Sequence, residues 1–296
     1  MSTRGWLLFA AMGVIWGIPY LLIKVAVAEI EPATLVLGRT AIGTLLLLPV
    51  ALLRSDLRAV RSHWRLLVLY TFVEVIGPWF LLSHAEQRLS SSLSGLLIAG
   101  VPLVGALLAW ATSHDDRPDA LRWIGLGLGF LGVALVVGFN VAADDLLAVG
   151  EVGLVVLGYA TGAMLIARLR GVPTIAVIAA SLALAALVYL PIGIAQRPAT
   201  LPSPQALASV ATLGVVCTAL AFIVFFALIR EVGPNRATVI TYVNPAIAVA
   251  LGVSLLGEPF TASIAAGFAL IALGSFLGTR RRSVSPSARL LGETGA

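Results

Sequence analysis

Charged residues are scarce in this sequence, and so is cysteine. Aspartate, glutamate, lysine and arginine make up 11% of the 296 residues, whereas hydrophobic residues make up 59% and the mean hydropathy is +1.03. Soluble domains are about half apolar and about a quarter charged, so this composition excludes a water-soluble fold. The single cysteine, Cys217, lies in an apolar run. An internal disulfide and a thiolate metal cluster are therefore excluded.

Apolar runs of bilayer length recur along the whole chain. A bilayer core of about 30 Å needs about 20 helical residues, and the runs are separated by turn sequences such as Gly171-Val172-Pro173 and Gly257-Glu258-Pro259. The sequence predicts an all-α integral membrane protein with ten transmembrane helices. We expect them at 6–28, 33–53, 66–84, 93–112, 121–139, 150–168, 174–195, 206–229, 236–256 and 261–279.

The arginines are distributed unevenly over the two faces that these helices define. With a cytoplasmic N-terminus, fifteen arginines fall on the cytoplasmic side, and only Arg88 and Arg197 fall on the other side. The positive-inside rule then predicts that both termini of this multi-pass protein are cytoplasmic. The net charge of +5 is accordingly attributed to topology and not to nucleic-acid binding.

The two halves of the chain resemble each other at a spacing of 143 residues. Trp16-Gly17 aligns with Tyr159-Ala160, Leu22-Ile23 with Leu165-Ile166, and Pro102 with Pro245. We interpret 1–140 and 150–279 as two five-helix repeats and 280–296 as a disordered cytoplasmic tail. Because five is odd, the second repeat is expected to enter the membrane in the opposite orientation, with a substrate site at the repeat interface.

Several motifs resemble the EamA branch of the drug/metabolite transporter superfamily. They are Ile15-Trp16-Gly17, Glu31-Pro32 followed by Arg39, the run from Leu255 to Thr261, and the run from Gly267 to Gly274. The resemblance covers essentially the whole chain as two copies of a five-helix unit. It implies a ten-helix bacterial inner-membrane carrier, commonly an exporter of amino acids or other metabolites. The first repeat departs from the pattern at Asp115-Asp116-Arg117-Pro118, where a Gly-Glu pair is expected.

Three ionisable residues fall within the predicted helices: Lys24, Arg39 and Glu74. A charge at the bilayer centre costs at least about 2.5–3.5 kcal/mol, so each is a candidate for substrate binding. Lys24 has the alternative of snorkelling to the outer interface, and Arg39 that of a structural ion pair or cap. Glu74 lies near the middle of its helix, where it is also a candidate for proton coupling.

Aromatic and polar residues share helical faces with these charges. Trp16, Tyr20 and Lys24 are spaced by four, as are Tyr70, Glu74 and Pro78 with Trp79 adjacent, while Thr238, Thr241, Tyr242 and Pro245 follow a helical spacing beside Asn244. We predict a substrate site formed by Trp16, Tyr20, Lys24, Arg39, Glu74, Trp79, Tyr159, Tyr242 and Asn244. The alternatives are interface-belt aromatics and hydroxyls that bond within their own helices.

Pro102 and Pro245 occupy matched positions in the two halves, and Pro19 and Pro78 also fall within predicted helices. Each proline deletes an intrahelical hydrogen bond. Corresponding interruptions in two repeats point to a transport site, so Pro102 and Pro245 are predicted hinges. The alternative is a passive kink.

These observations favour a secondary carrier that exports a small metabolite by alternating access. No P-loop is present, so transport driven by ATP would need another protein. The GxGxxG pattern at 127–132 lies within an apolar helix and therefore does not indicate a dinucleotide-binding site. No catalytic residue, cofactor or metal site is expected; the bilayer and a small-molecule substrate are the expected partners, and a homodimer is compatible with the sequence. The competing functions are an enzyme for lipid-linked substrates, using Asp115, Asp116 and Asp119, and a facilitative channel.

Overall fold

The described structure consists of ten apolar helices and contains no strand. The computed structural model of the chain describes residues 2–54, 58–112, 119–169, 171–233, 237 and 240–279. Within these ranges the helices are α1 Thr3–Ala26, α2 Pro32–Arg54, α3 Trp64–Ala85, α4 Ser91–Thr112, α5 Ala120–Asn140, α6 Ala143–Ile166, α7 Thr174–Ala195, α8 Pro204–Val232, α9 Ile240–Leu256 and α10 Ala262–Gly278. A short helix, Arg58–Ser62, precedes α3.

The all-helical membrane class predicted from the sequence is confirmed. The described residues include eight helices, α1 to α8, that are long and apolar enough to cross a membrane, whereas α9 and α10 have 17 residues each. A bilayer crossing needs about 20 helical residues, so the count of ten crossings stays a prediction. The predicted tail at 280–296 lies outside the described residues.

Side-chain caps fix the beginnings of several helices. Ser90, Ser203 and Thr261 each accept a hydrogen bond from the backbone N–H three residues later, at the starts of α4, α8 and α10. Asp119 caps α5 in the same way through the N–H of Arg122, at 2.9 Å. Of the acids considered for a membrane enzyme, Asp119 is therefore a helix cap, and Asp115 and Asp116 lie outside the described residues.

Glycines bring α5 and α10 into direct backbone contact. A Cβ atom at Gly125 would lie 2.5 Å from the backbone nitrogen of Gly278 and 2.8 Å from the carbonyl oxygen of Gly274. A Cβ atom at Gly274 would in turn overlap the backbone of Gly129. The two helices thus pair through small-xxx-small faces, Gly125 with Gly129 and Gly274 with Gly278, since only glycine lets two helix backbones come this close.

Two helices contain a π-helical segment at matched places in the sequence. In α3 the segment is Phe72–Ile76, and in α8 it is Val215–Leu220, so the two begin 143 residues apart, the spacing of the predicted repeats. In α3, Pro78 lacks the N–H that would bond the carbonyl of Glu74, which explains the irregular turn there. Such turns are frequent at functional sites.

Candidate functional site

Arg39 lies buried where α2, α3 and α8 meet. Its side chain is 8% exposed, the guanidinium carbon is 3.7 Å from the centroid of the Trp79 ring, and Nε donates a hydrogen bond to the Thr218 hydroxyl at 2.9 Å. Thr218 belongs to the π-helical segment of α8 and donates to the carbonyl of Leu213 at 2.8 Å. The cation is therefore held by an aromatic face and one hydroxyl, and among the described residues no carboxylate is within 4.0 Å of it.

Glu74 lies in the other π-helical segment, in the middle of α3. Its Oε2 atom is buried and has no hydrogen-bond partner among the described residues. It faces α6 at Gly162, where a Cβ atom would overlap the carboxylate oxygen. Glu74 pairs neither with Arg39 nor with Lys24 within the described structure, so both signs of charge are available near the centre of the bundle.

Two tyrosines lie near the charged residues: Tyr20, which is buried, and Tyr159, which is partly buried. Tyr159 of α6 interacts electrostatically with Glu74 and Arg39 and with the side chain of Trp79. Tyr20 of α1 is 8% exposed and interacts with Arg39 and Tyr159. The structure thus brings together five of the predicted site residues, from α1, α2, α3 and α6.

The space beside Trp79 is small in this conformation. Tyr70, Val75, Trp79, Ile178, Ser181, Leu182 and Phe222 line a cavity of about 10 Å³. That volume holds about one water molecule, so this side of the Trp79 ring is closed to a metabolite.

Lys24 contacts backbone at the end of the bundle where α3 ends and α4 begins. Its Nζ atom donates hydrogen bonds to the carbonyl oxygens of Glu86 and Leu89, at 2.7 and 2.8 Å. These carbonyls follow the end of α3, where a cation is favoured by the helix dipole. The ammonium group is thereby engaged with the connection between α3 and α4.

Three other predicted site residues lie apart from Arg39 and Glu74. The Trp16 ring packs 4.7 Å from that of Phe225 in a separate apolar cluster. The Tyr242 hydroxyl is 3.3 Å from that of Thr279, at the opposite end of the bundle from Lys24. The Asn244 side-chain oxygen is buried without a hydrogen-bond partner in the described part of the chain. The backbone carbonyl of Asn244 lies beside Gly17.

The two predicted hinge prolines have different surroundings. In α4 the helix is interrupted at Ala99 and Gly100, and the second part begins at Val101, one residue before Pro102. Pro245 lies within the continuous helix Ile240–Leu256. Within the described residues, Pro102 therefore lies next to a helix interruption and Pro245 does not, although the two occupy matched positions in the sequence.

Sequence reasoning did not identify Thr218, Gly162, Glu86 or the capping role of Glu258. Glu258 accepts hydrogen bonds from the backbone N–H groups of Ser91 and Ser92, at 2.7 and 2.9 Å. It connects the loop after α9 to the start of α4, 167 residues away. The available signal for Thr218 and Glu258 was the 143-residue spacing and the Gly-Glu-Pro motif; a contact between distant helices leaves no such mark for Gly162.

The fold and this polar centre, enclosed by apolar helices, define a multi-pass membrane protein. The model of the EamA-like transporter family matches the chain twice, over residues 3–138 and 150–280. The chain therefore belongs to the EamA-like transporter family and is a membrane transporter. The resemblance drawn from the sequence motifs is confirmed.

The relatives cover almost the whole chain. The chain is 26% identical over 292 residues to the inner membrane transporter YedA of Escherichia coli strain K12, and the match covers 93% of each protein. It is 26% identical over 278 residues to the transporter YvbV of Bacillus subtilis strain 168, covering 91% of this chain and 90% of that one. A solved crystal structure has a TM-score of 0.67 at 19% identity, covering 94% of this chain and 97% of the other, which shows a shared fold.

Proposed function

We propose that the protein is a secondary-active transporter that exports a small metabolite, such as an amino acid or a related amphipathic compound, by alternating access. The observation that carries this proposal is the buried pair of unlike charges that do not neutralise each other: Arg39, held by Trp79 and Thr218, and Glu74, with a buried oxygen that lacks a partner in the described structure. Tyr20 and Tyr159 both interact electrostatically with Arg39, and Tyr159 also does so with Glu74.

The energetics of burial support a binding role for this pair. Each charge at the bilayer centre costs at least about 2.5–3.5 kcal/mol, and direct pairing would recover part of that cost. Leaving them apart makes both charges available to a zwitterion, with its carboxylate at Arg39 and its ammonium group at Glu74. The rings of Tyr20, Trp79 and Tyr159 suit the apolar part of such a molecule.

Two observations support an inverted-repeat carrier with ten crossings and both termini in the cytoplasm. The π-helical segments begin 143 residues apart, and the family model matches the two halves separately. Five helices per half reverse the orientation of the second half, which supplies the two conformations that alternating access requires. The asymmetric distribution of arginines supports the orientation, and the name of the E. coli relative supports the bacterial inner membrane.

The test begins with a tolerance screen. A deletion strain and an overexpressing strain are compared across metabolites, and each hit is measured as flux in proteoliposomes. Uphill export driven by a pH gradient is expected to be lost in Glu74→Gln while exchange persists, because exchange needs no net proton movement. Normal uphill transport by Glu74→Gln would exclude proton coupling at that residue.

A facilitative channel is the competing function. Counterflow separates the two, because only a carrier lets an excess of unlabelled substrate on one side drive labelled substrate to accumulate there.

A further inference from the structure

A second carboxyl group, that of Glu86, is completely buried at the outer end of the bundle. Its side chain is 0% exposed, and neither carboxylate oxygen has a hydrogen-bond partner among the described residues. Glu86 is the first residue after α3, so it lies twelve residues beyond Glu74, about 18 Å along a helix at 1.5 Å per residue. A buried ionised carboxylate without hydrogen bonds is strongly disfavoured.

The surroundings of Glu86 contain both signs of charge. Lys24 and Tyr20 face it from α1, Glu258 from the loop after α9, and Tyr159 from α6. Ser94 of α4 is also close, without a hydrogen bond of normal geometry between them. Burial raises the pKa of the Glu86 carboxyl well above its usual range; the nearby Lys24 ammonium opposes this shift and Glu258 adds to it.

Glu86 and Glu74 share one neighbour, Tyr159. Tyr159 interacts electrostatically with both carboxyls, and Tyr20 interacts with Glu86 and with Tyr159. The Tyr20 ring also packs 3.6 Å from the Cβ position of Gly95, next to Ser94. Tyr20 and Tyr159 are therefore the candidate residues for coupling between the two carboxyl groups.

We propose that Glu86 is a second proton-binding site of the transporter, coupled through Tyr20 and Tyr159 to the proton site at Glu74. The step is the addition of one proton from outer water to the Glu86 carboxylate, which gives the neutral acid. In the closed arrangement described here the site is sealed, because Lys24 holds the carbonyls of Glu86 and Leu89. Exchange with outer water requires these two bonds to open.

The coupling to Glu74 rests on the proposed transport function, but the proton site is measured without a substrate. The probe is the proton itself: infrared spectra of the full-length protein in lipid nanodiscs are titrated with pH, and the C=O stretch of protonated carboxyls is followed. At pH 7 the wild type is expected to show a band that Glu86→Gln loses. If the spectra of Glu86→Gln and the wild type are identical at that pH, the assignment of Glu86 as a proton-binding site is overturned.

Two charge changes give opposite, independent readouts at Glu86. Lys24→Met removes the cation that favours the carboxylate and is expected to move the Glu86 midpoint to higher pH. Glu258→Gln removes the neighbouring negative charge and is expected to move it to lower pH. The exposed Glu31 supplies the control, since Glu31→Gln leaves the midpoint unchanged. Equal midpoints in all three variants overturn the assignment even if Glu86→Gln folds poorly.

The coupling between Glu86 and Glu74 is tested separately, because each of two linked sites must change the affinity of the other by the same factor. Glu86→Gln is expected to shift the Glu74 midpoint, and Glu74→Gln to shift the Glu86 midpoint, by the same factor of about five in proton concentration. The double change of Tyr20 and Tyr159 to Phe is expected to reduce both shifts. Independent titrations overturn the coupling, while a failed substrate screen with reciprocal titrations would count against the transport proposal alone.

Discussion

The guanidinium carbon of Arg39 lies 3.7 Å from the centroid of the Trp79 ring, and Nε of Arg39 bonds the Thr218 hydroxyl. A stacked guanidinium needs both its plane and its fork of donors, which an ammonium group cannot supply. A desolvated cation–π contact contributes about 2 kcal/mol. Through its stacking on Trp79 and its hydrogen bond to Thr218, the Arg39 side chain of α2 contacts α3 and α8, so it joins helices from both halves of the chain.

We expect Arg39→Lys and Trp79→Leu each to lower transport of the metabolite identified in the screen by at least about tenfold, from the loss of this contact. The measurement is initial flux in proteoliposomes at equal protein content. Arg88→Lys is the matched control, because Arg88 is more than half exposed and bonds the carbonyl of Asp144. Full activity of Arg39→Lys would show that only the charge at this position matters.

Gly162→Ala is expected to abolish transport by displacing Glu74. The added Cβ atom overlaps the Glu74 carboxylate oxygen, so the carboxylate must move off α6. Glu74→Asp is shorter by one methylene and is expected to restore part of the flux in the double variant. Gly153→Ala on the same helix is the control, because nothing lies within 4 Å of a Cβ atom there. Equal flux in the two alanine variants would contradict the assigned contact.

Gly274→Ala is expected to destabilise the protein through the crossing of α5 and α10. The methyl group overlaps the backbone of Gly125 and Gly129, and overpacking costs about 1–3 kcal/mol. Thermal unfolding in detergent measures the effect. Gly127→Ala, on α5 but with nothing within 4 Å of its Cβ position, is expected to be neutral or stabilising, since alanine favours helix over glycine by about 1 kcal/mol. A lower melting temperature for Gly127→Ala than for Gly274→Ala would refute the packing argument.

Acid is expected to loosen a tie between α1 and α8. The exposed Glu29 carboxylate accepts hydrogen bonds from the hydroxyl and the backbone N–H of Ser203, at 2.5 and 2.6 Å, and these bonds lower the pKa of Glu29. A lowered folded-state pKa means that the stabilisation is present above the unfolded value and is lost as pH falls through the folded value.

The measurement is the melting temperature in detergent between neutral and acid pH. Glu29→Gln is expected to melt lower than wild type at neutral pH and to lose less on acidification. Glu31→Gln, at an exposed neighbour, is expected to keep the wild-type profile. Parallel profiles for Glu29→Gln and wild type would exclude the tie.

The fold was predictable because hydropathy and arginine placement are properties of single segments. The apolar runs locate α1 to α8, and the motif residues around Gly257 identify the family. Gly125 with Gly129 and Gly274 with Gly278 each follow a packing spacing that the sequence displays, but that these two faces meet each other is seen only in the structure. Such patterns involve residues that are close in the sequence, so they can be recognised without knowing how the helices pack.

The site was predictable only in part, because helix rotation and helix breaks depend on the assembled bundle. Trp16 follows the same helical spacing as Tyr20 and Lys24, but its ring packs against Phe225 in another apolar cluster. The neighbours that each level of α1 meets are set by the assembled bundle. Glu74 was identifiable as a charge in an apolar run, whereas its neighbour Gly162 lies on another helix. The position of Glu86 just past α3 made it resemble an ordinary loop acid, and only tertiary packing removes it from water.

Lys24 is the only lysine in the sequence, and two carbonyl groups occupy its ammonium. An amine-reactive reagent can acylate that nitrogen only after it leaves those carbonyls and loses a proton. The rate of acylation at this one side chain therefore reports how often the end of the bundle between α3 and α4 opens, without any introduced label. Ligands that trap the closed form protect it, and ligands that trap the open form expose it.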